Sequence, residues 1–336
     1  MSKLFNSRVG RVCAPMQTDF FERSVETPAP GRVVIHVMAS AICGSDLHIF
    51  KGKHPSVQLP VSIGHEFSGE IVAVGDGVTN VKLGDRVTLE PCIACGTCEA
   101  CRHGDYGYCE QISFSYREGD GAMADYVTAH AEHVFRLPDA LIEPLSVATH
   151  AVRRADIRLG ETVLIIGAGA IGMMIAAGCR ESGAGEIIIS DFSDVRLAMA
   201  RELGATVTVN SAKENLDEVI ARMTSGKGVD KSFECVGAQA TFLQAMMSLR
   251  RNGLATIVGI FENPNITIPA SRFVTHEIRV QGAQGYCWDF PVAIKLAQRL
   301  PLRRMITHTF PLNELQKALE TCLDREAGSI KVLLKP

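Results

Sequence analysis

Two groups of metal-binding residue types stand close together in the first third of the chain. Cys43 lies in Ile42-Cys43-Gly44-Ser45-Asp46-Leu47-His48, and His65 and Glu66 lie in Ile63-Gly64-His65-Glu66-Phe67. A thiolate, an imidazole and a carboxylate make a three-ligand zinc site with one coordination place left for substrate. Cys43 and His65 are the firmest ligands. Glu66 is either the third ligand or a carboxylate that orients another group. Neighbours on a regular strand point to opposite faces, so joint ligation by His65 and Glu66 requires a turn there. Glu143, in Leu141-Ile142-Glu143-Pro144-Leu145-Ser146, is a further candidate, direct or through water. Each residue alone has a bland reading. A lone cysteine is usually a small buried hydrophobe, and a lone histidine a satisfied core residue. The second group is Cys95, Cys98, Cys101 and Cys109. Four thiolates close a tetrahedral zinc shell and leave no open place, which is a structural site. Metal there would stand in for the core that a short loop lacks. The alternatives are an iron–sulfur cluster and an empty lobe of free thiols. Cys92 is surplus to the set.

A third pattern binds nucleotide. Thr162-Val163-Leu164-Ile165-Ile166 reads as an apolar strand, and Gly167-Ala168-Gly169-Ala170-Ile171-Gly172 follows at once. Gly167 permits a tight turn, Gly169 lets backbone approach a pyrophosphate, and Gly172 allows close helix–strand packing. Asp191 ends the next strand. An acid there suits the two adenosine ribose hydroxyls and repels a 2′-phosphate, so NAD is expected over NADP. Arg196 lies against the adenine or is a solvated helix residue. The bland alternative is a glycine-rich turn with no cofactor. Together the three patterns point to an enzyme that moves a hydride between an alcohol and a nicotinamide. Its metal would lower the alcohol's pKa so that alkoxide forms near neutral pH. Ser45 is placed to accept the proton, with His48 as an outer general base. Ser45 could equally cap a helix, since Cys-Gly-Ser-Asp resembles a helix start.

The elements that must hold these residues fall into two textures. Residues 1–148 read as mostly β, with runs at Val33–Val37, Gly69–Val74 and Arg86–Leu89. Gly75-Asp76-Gly77 and Leu83-Gly84-Asp85 are turn chemistry between them. From about residue 160, strands at Val163–Ile166, Glu186–Ser190, Ala205–Val209, Lys231–Cys235, Leu254–Gly259 and Ile278–Gln281 alternate with helices near 170–182, 193–203, 213–224 and 238–251. That is a doubly wound parallel sheet. The tail ends in the strand-like run Ile330–Leu334 and is expected to return to the first domain. The fold class is therefore α/β. A β-rich catalytic domain of residues 1–148 and 286–336 carries both zinc sites and is interrupted by a dinucleotide-binding domain of residues 149–285. The active site is expected in the cleft between them.

Composition excludes several classes. The 336 residues suit about two domains. A net charge of −3 offers no basic excess for nucleic acid or anionic membrane. The run Val163 to Cys179 has 17 residues, none of them charged, and a strand–turn–helix pattern, so it is no membrane span. The cysteine count is odd at 11, and the clustering favours metal ligation in a reducing compartment over a disulfide framework. The N-terminus lacks the apolar core of a signal peptide, so a cytoplasmic location is expected.

At this point the chain resembles the zinc-dependent medium-chain dehydrogenase/reductase family, closest to its sorbitol (polyol) dehydrogenase branch. The resemblance rests on Cys43–His48, Gly64–Gly69, the four-cysteine lobe, Glu143–Ala148, Gly167–Gly172 and Glu234-Cys235-Val236-Gly237, in order over nearly the whole chain. It implies a GroES-like first domain, a Rossmann second domain, two zinc ions per chain and NAD. It implies catalytic zinc on Cys43, His65 and Glu66, with Glu143 near metal and substrate. Coenzyme contacts would fall on Ile171, Asp191 and Arg196, with Val258-Gly259-Ile260 and Ala283-Gln284-Gly285 at the nicotinamide. Phe50, Phe114 and Tyr286 are candidate pocket walls. The substrate would be a polyol, sugar alcohol or sugar acid, and the assembly a homodimer or homotetramer. Three features depart from the family. Only Ala140, Leu141 and Ile142 separate Leu137-Pro138-Asp139 from Glu143, where the family has a longer stretch. Ile49 and Gly285 stand where animal sorbitol dehydrogenases carry a substrate-contacting tyrosine and an arginine. The substrate is therefore open to differ from sorbitol. The rival enzyme reading is an L-threonine-type or diol dehydrogenase of the same family, although threonine-type members carry aspartate-proline at Glu143-Pro144. A metal-free quinone reductase would lack the lobe and Cys43/His65. The rival from another class is a non-catalytic zinc- or redox-responsive binding protein.

Overall fold

The computed structural model describes residues 5–114, 121–136 and 141–336. The chain divides into two compact units: Met1–Glu143 with Ile294–Gln298 and Ile306–Pro336, and Pro144–Ala293 with Arg299–Met305.

The first unit is built on strand Arg32–Ala41. It pairs antiparallel with Glu66–Val74, Tyr126–His130 and the C-terminal strand Lys331–Lys335. Arg86–Leu89, Val134–Arg136 and Ile306–Pro311 complete the sheet. Val33, Ile35 and Val37 face one core at every second position and pack with Phe67, Ile71, Val87 and Val127, while Val34 is buried with Phe5 and Val25 on the other face. A second cluster gathers Ile42, Ile49, Phe50, Ile63, Leu315, Leu319, Val332 and Leu334. Burial of each such side chain stabilises by about 1.5–3 kcal/mol. Ile42 immediately precedes Cys43, and Ile63 comes two residues before His65. This core therefore fixes both ligand segments.

The second unit holds six parallel strands in the order Val207–Asn210, Glu186–Asp191, Thr162–Ile166, Val229–Glu234, Leu249–Ile257, Arg279–Gly282. Sequence order reverses beside Thr162–Ile166, the switch point at which doubly wound sheets bind ligands. Strand Thr162–Ile166 is apolar and almost wholly buried because it has sheet on both sides and helices on both faces. Ser193 caps helix Asp194–Glu202 by accepting the Arg196 N–H, and Asn215 caps Leu216–Thr224 by accepting that of Asp217.

The expectation of a helix running to residue 251 is corrected. The helix is Gln239–Met247, and the chain is already in strand from Leu249, which pairs with Val229. The sheet offers Leu249 a buried partner that a continued helix would forfeit. Asn252, with φ +60°, and Gly253 then bend the strand. Among the described residues no helix is long and apolar enough to cross a membrane.

Candidate metal and coenzyme sites

Cys43 is the N-cap of helix Gly44–Phe50. Its backbone N–H donates to Asp46 Oδ2 at 2.9 Å, so the carboxylate one turn into the helix closes the helix start. Ser45 does not cap. Its Oγ lies 3.5 Å from His65 Nε2. Gly64 adopts φ +97°, and a Cβ there would meet Met123 N at 2.7 Å. This left-handed residue comes just before His65, and the strand begins only at Glu66, so the pair sits at a strand start rather than inside a regular strand. One donor atom each from Cys43, His65 and Glu66 lies within 4.8 Å of the others.

Asp46 Oδ1 stands 3.7 Å from His65 Nδ1 and accepts the Gly64 N–H at 3.4 Å. Burial disfavours the His65 imidazolium. Even so, Asp46, Cys43 and Glu143 raise its pKa well above the usual histidine range. The pocket is thus rich in negative charge that a cation would answer. Glu66 is 2 % exposed. Lys331 Nζ donates to its Oε2, while its Oε1 is buried with no hydrogen-bond partner. A buried acceptor left over beside a thiol and an imidazole fits a zinc ion. Glu143 is buried in the first turn of helix Ile142–Ala155. It stands outside the three-donor cluster, yet its charge acts on both His65 and Lys331. Of the short segment before it, Leu137 to Ala140 lie outside the described residues.

Lys331 escaped the sequence reading. It is 3 % exposed, and its Nζ also donates to the Ile42 carbonyl at 3.2 Å. One ammonium thus braces the segment before Cys43 and the side chain of Glu66. Burial disfavours its charge, but Glu66 and Cys43 raise its pKa above the usual lysine value. A lysine inside an apolar strand, Ile330-Lys331-Val332, was the available signal.

Cys95, Cys98, Cys101 and Cys109 form the second donor cluster, with Cys95 and Cys101 Sγ atoms 4.0 Å apart. Cys92 is buried in the two-residue strand Cys92–Ile93 and is not part of it. Backbone N–H groups of Thr97 and Cys98 donate to Cys95 Sγ, and those of Cys95 and Gln111 to Cys109 Sγ. These donors favour thiolates, and the four-sulfur set fits a closed zinc shell.

In the second unit Gly167 takes φ +100°, and a Cβ on Gly172 would fall 1.9 Å from the Gly167 carbonyl. Helix Ala170–Glu181 can approach the strand only because that atom is missing. Beside Gly169 a Cβ would meet nothing within 4 Å, so backbone there faces open space. Asp191 Oδ2 accepts the Ala168 N–H at 2.8 Å, and Oδ1 that of Ser193 at 2.9 Å. The acid is thereby held against the glycine turn, which fits a dinucleotide with a free ribose. Ile171 lies in the first turn of helix Ala170–Glu181, and Arg196 on Asp194–Glu202. Val258-Gly259-Ile260 and Ala283-Gln284-Gly285 follow two further strands at the same C-terminal edge.

His48 lies in the last turn of helix Gly44–Phe50, half-buried. Phe50 is fully buried in the first unit's core, and Phe114 packs against the same cluster. Tyr286, in the second unit, is buried edge-on to Phe290 with ring centres 5.0 Å apart.

Residues 29–139 match the alcohol dehydrogenase GroES-like domain, and residues 170–299 match the zinc-binding dehydrogenase family. The sorbitol dehydrogenase of Bacillus subtilis is 35% identical over 333 residues, covering 94% of each chain. An Escherichia coli oxidoreductase/dehydrogenase of unknown specificity superposes with a TM-score of 0.92 at 32% identity, over 98% of this chain and 99% of that one. A zinc-binding dehydrogenase of Sinorhizobium meliloti, bound to NADP, superposes with a TM-score of 0.90 at 28% identity, over 99% of this chain and 100% of that one.

Proposed function

The chain belongs to the zinc-binding alcohol dehydrogenase family, and on that premise we propose that it oxidises a secondary alcohol of a polyol, sugar alcohol or sugar acid to the ketone, with NAD as hydride acceptor. One observation carries the reading: Cys43, His65 and Glu66 converge, and Glu66 keeps a buried oxygen without a partner. Those three side chains would hold the catalytic zinc, with Glu143 beside them, and the cysteine lobe would hold a second, structural ion. When bound, zinc supplies Lewis acidity that brings an alcohol hydroxyl's pKa toward neutrality.

The remaining work falls to the chain. Asp46 holds the Cys43 backbone and stands by His65 Nδ1, which leaves Nε2 beside Ser45. The Ser45 hydroxyl would accept the substrate's proton, and His48 would take it toward solvent as an outer base. Gly167, Gly169, Ile171 and Gly172 receive the pyrophosphate. Asp191 binds the adenosine ribose and selects against a 2′-phosphate, even though the Sinorhizobium relative holds NADP. Arg196 lies by the adenine. Val258–Ile260 and Ala283–Gly285 contact the nicotinamide.

The test is a coenzyme-reduction screen over polyols, aldonates, diols and threonine with NAD and NADP, alongside metal analysis. The expected result is turnover of a polyol or sugar acid with NAD preferred, and about two zinc ions per chain. Turnover of threonine alone, or preference for NADP, would refute the proposal.

A further inference from the structure

We infer that Glu234 is a positioning residue for the dinucleotide, setting two coenzyme loops at once without touching the coenzyme; this rests on the NAD reading of the second unit. Glu234 ends strand Val229–Glu234, and its side chain is 0 % exposed. Its Oε1 accepts three hydrogen bonds: from Val236 N at 2.9 Å, Gly237 N at 2.8 Å and Thr241 Oγ1 at 2.7 Å. Its backbone carbonyl accepts two more, from Val258 N at 2.9 Å and Gly259 N at 3.0 Å. One residue therefore anchors the loop after its own strand and the loop after the neighbouring strand Leu249–Ile257.

The two loops are in direct backbone contact. A Cβ on Gly237, where φ is +85°, would fall 2.2 Å from the Ile260 carbonyl. A Cβ on Gly259 would fall 2.3 Å from Gly237 N and 2.6 Å from Glu234 Oε2. A third segment joins them, because a Cβ on Gly167 would meet the Val236 side chain at 2.8 Å. A shift of the Val236–Gly237 loop is therefore felt by the first glycine of the nucleotide turn. No side chain could fill these gaps, so backbone geometry is held by what Glu234 accepts. Val236 and Ile260 remain substantially exposed, as apolar surface for the coenzyme to lie against.

Stability alone does not explain the residue. Glu234 Oε2 is buried with no partner, a cost that an apolar side chain would avoid. A buried carboxylate that fixes the Val236–Gly237 loop, against which the Gly259–Ile260 loop and Gly167 lie, is instead a pre-organising device, lowering the ordering cost at binding.

The experiment measures NADH affinity by fluorescence, KM for NAD, kcat and thermal midpoint on the full chain. The variants are Glu234→Ala, Glu234→Gln and Thr241→Val. Glu234→Ala is expected to raise the NADH dissociation constant and KM for NAD about tenfold, with kcat at saturating coenzyme much less affected. Glu234→Gln keeps the accepting oxygen and is expected to recover most of the affinity. Thr241→Val, which removes one hydroxyl from a partly exposed residue, is expected to weaken NADH about threefold. If Glu234→Ala does not fold, the other two variants decide. NADH affinity unchanged in Thr241→Val, or losses that track the thermal midpoint with kcat falling and KM for NAD unchanged, overturns the inference. A wild-type chain that binds neither NADH nor NADPH removes the NAD reading, and the inference with it.

Discussion

The two donor clusters of the first unit use similar residues and are built in opposite ways. Around Cys43, His65 and Glu66 the protein supplies everything: a hydrophobic core behind both segments, Asp46 on one side and buried Lys331 on the other. The cysteine lobe has almost nothing of its own. Helix Glu99–Arg102 and the 3₁₀ turn Tyr106–Tyr108 bury no residue, and the flanking strands Cys92–Ile93 and Ser113–Phe114 have two residues each. In the first case the fold makes the site. In the second, metal would make the fold.

The sharpest way to break that contrast is Cys43→Ala. If the first cluster is a preformed working site, turnover falls by more than about a thousandfold, because the chemistry loses its Lewis acid. NADH binding and the thermal midpoint stay close to wild type. Activity within a few-fold of wild type, measured by NADH formation, would remove the cluster from the reaction.

Lys331→Met comes next. Removing one partner of a buried ion pair leaves Glu66 uncompensated, a cost of about 3–5 kcal/mol. Bound zinc would compensate Glu66 in part, so the loss should be larger after chelation than in the zinc-loaded protein. Denaturant unfolding with and without metal reads the difference. Equal losses in both states would mean that Lys331 braces the backbone only and has no electrostatic link to the metal place.

Stripping metal from the lobe should have a more local effect. Amide protection should vanish across 95–109 while the second unit's sheet, which has its own core, keeps its protection. Hydrogen exchange that leaves the lobe protected without metal would show that it folds by itself.

What can be read from sequence follows the same division. The cysteine lobe, the glycine turn and the His65-Glu66 pair are short-range patterns whose spacing carries the chemistry. Gly172 can be read because helix–strand packing at a fixed offset excludes a Cβ. Lys331 could not be placed by spacing, because its partner Glu66 lies 265 residues away and is met only through sheet pairing. Asp46 lies within Cys43–His48, but its role depends on the turn at Gly64, which spacing does not reveal. The end of helix Gln239–Met247 was misjudged for a related reason. Leu249 and Arg250 suit a helix locally, and only the partner strand Val229–Glu234 draws them into the sheet.

The smallest effect tests the lobe's own chemistry. In the metal-free lobe the thiols are unequal. The Thr97 hydroxyl, followed by the N–H groups of Thr97 and Cys98, lowers the Cys95 thiol to about 6. Desolvation, followed by the neighbouring thiols, pushes Cys101 up to about 12. The lowered Cys95 pKa favours its thiolate near neutral pH, which reduces the proton cost of metal capture. Thr97→Val removes the hydroxyl that lies 3.5 Å from Cys95 Sγ and leaves the backbone donors in place. The Cys95 pKa should then rise toward the ordinary thiol value of about 8.5. A depressed thiol pKa helps above its folded value and ceases to help as pH falls through it. The variant's deficit in zinc capture should therefore be greatest between about pH 6 and 8 and fade above about pH 9, as both forms become thiolate. Competition against a chromophoric chelator across that range measures it, with an expected loss of a few-fold and unchanged turnover at Cys43. A pH-independent deficit would assign Thr97 to loop shape alone, and a fall in turnover would mean that the two clusters are not independent.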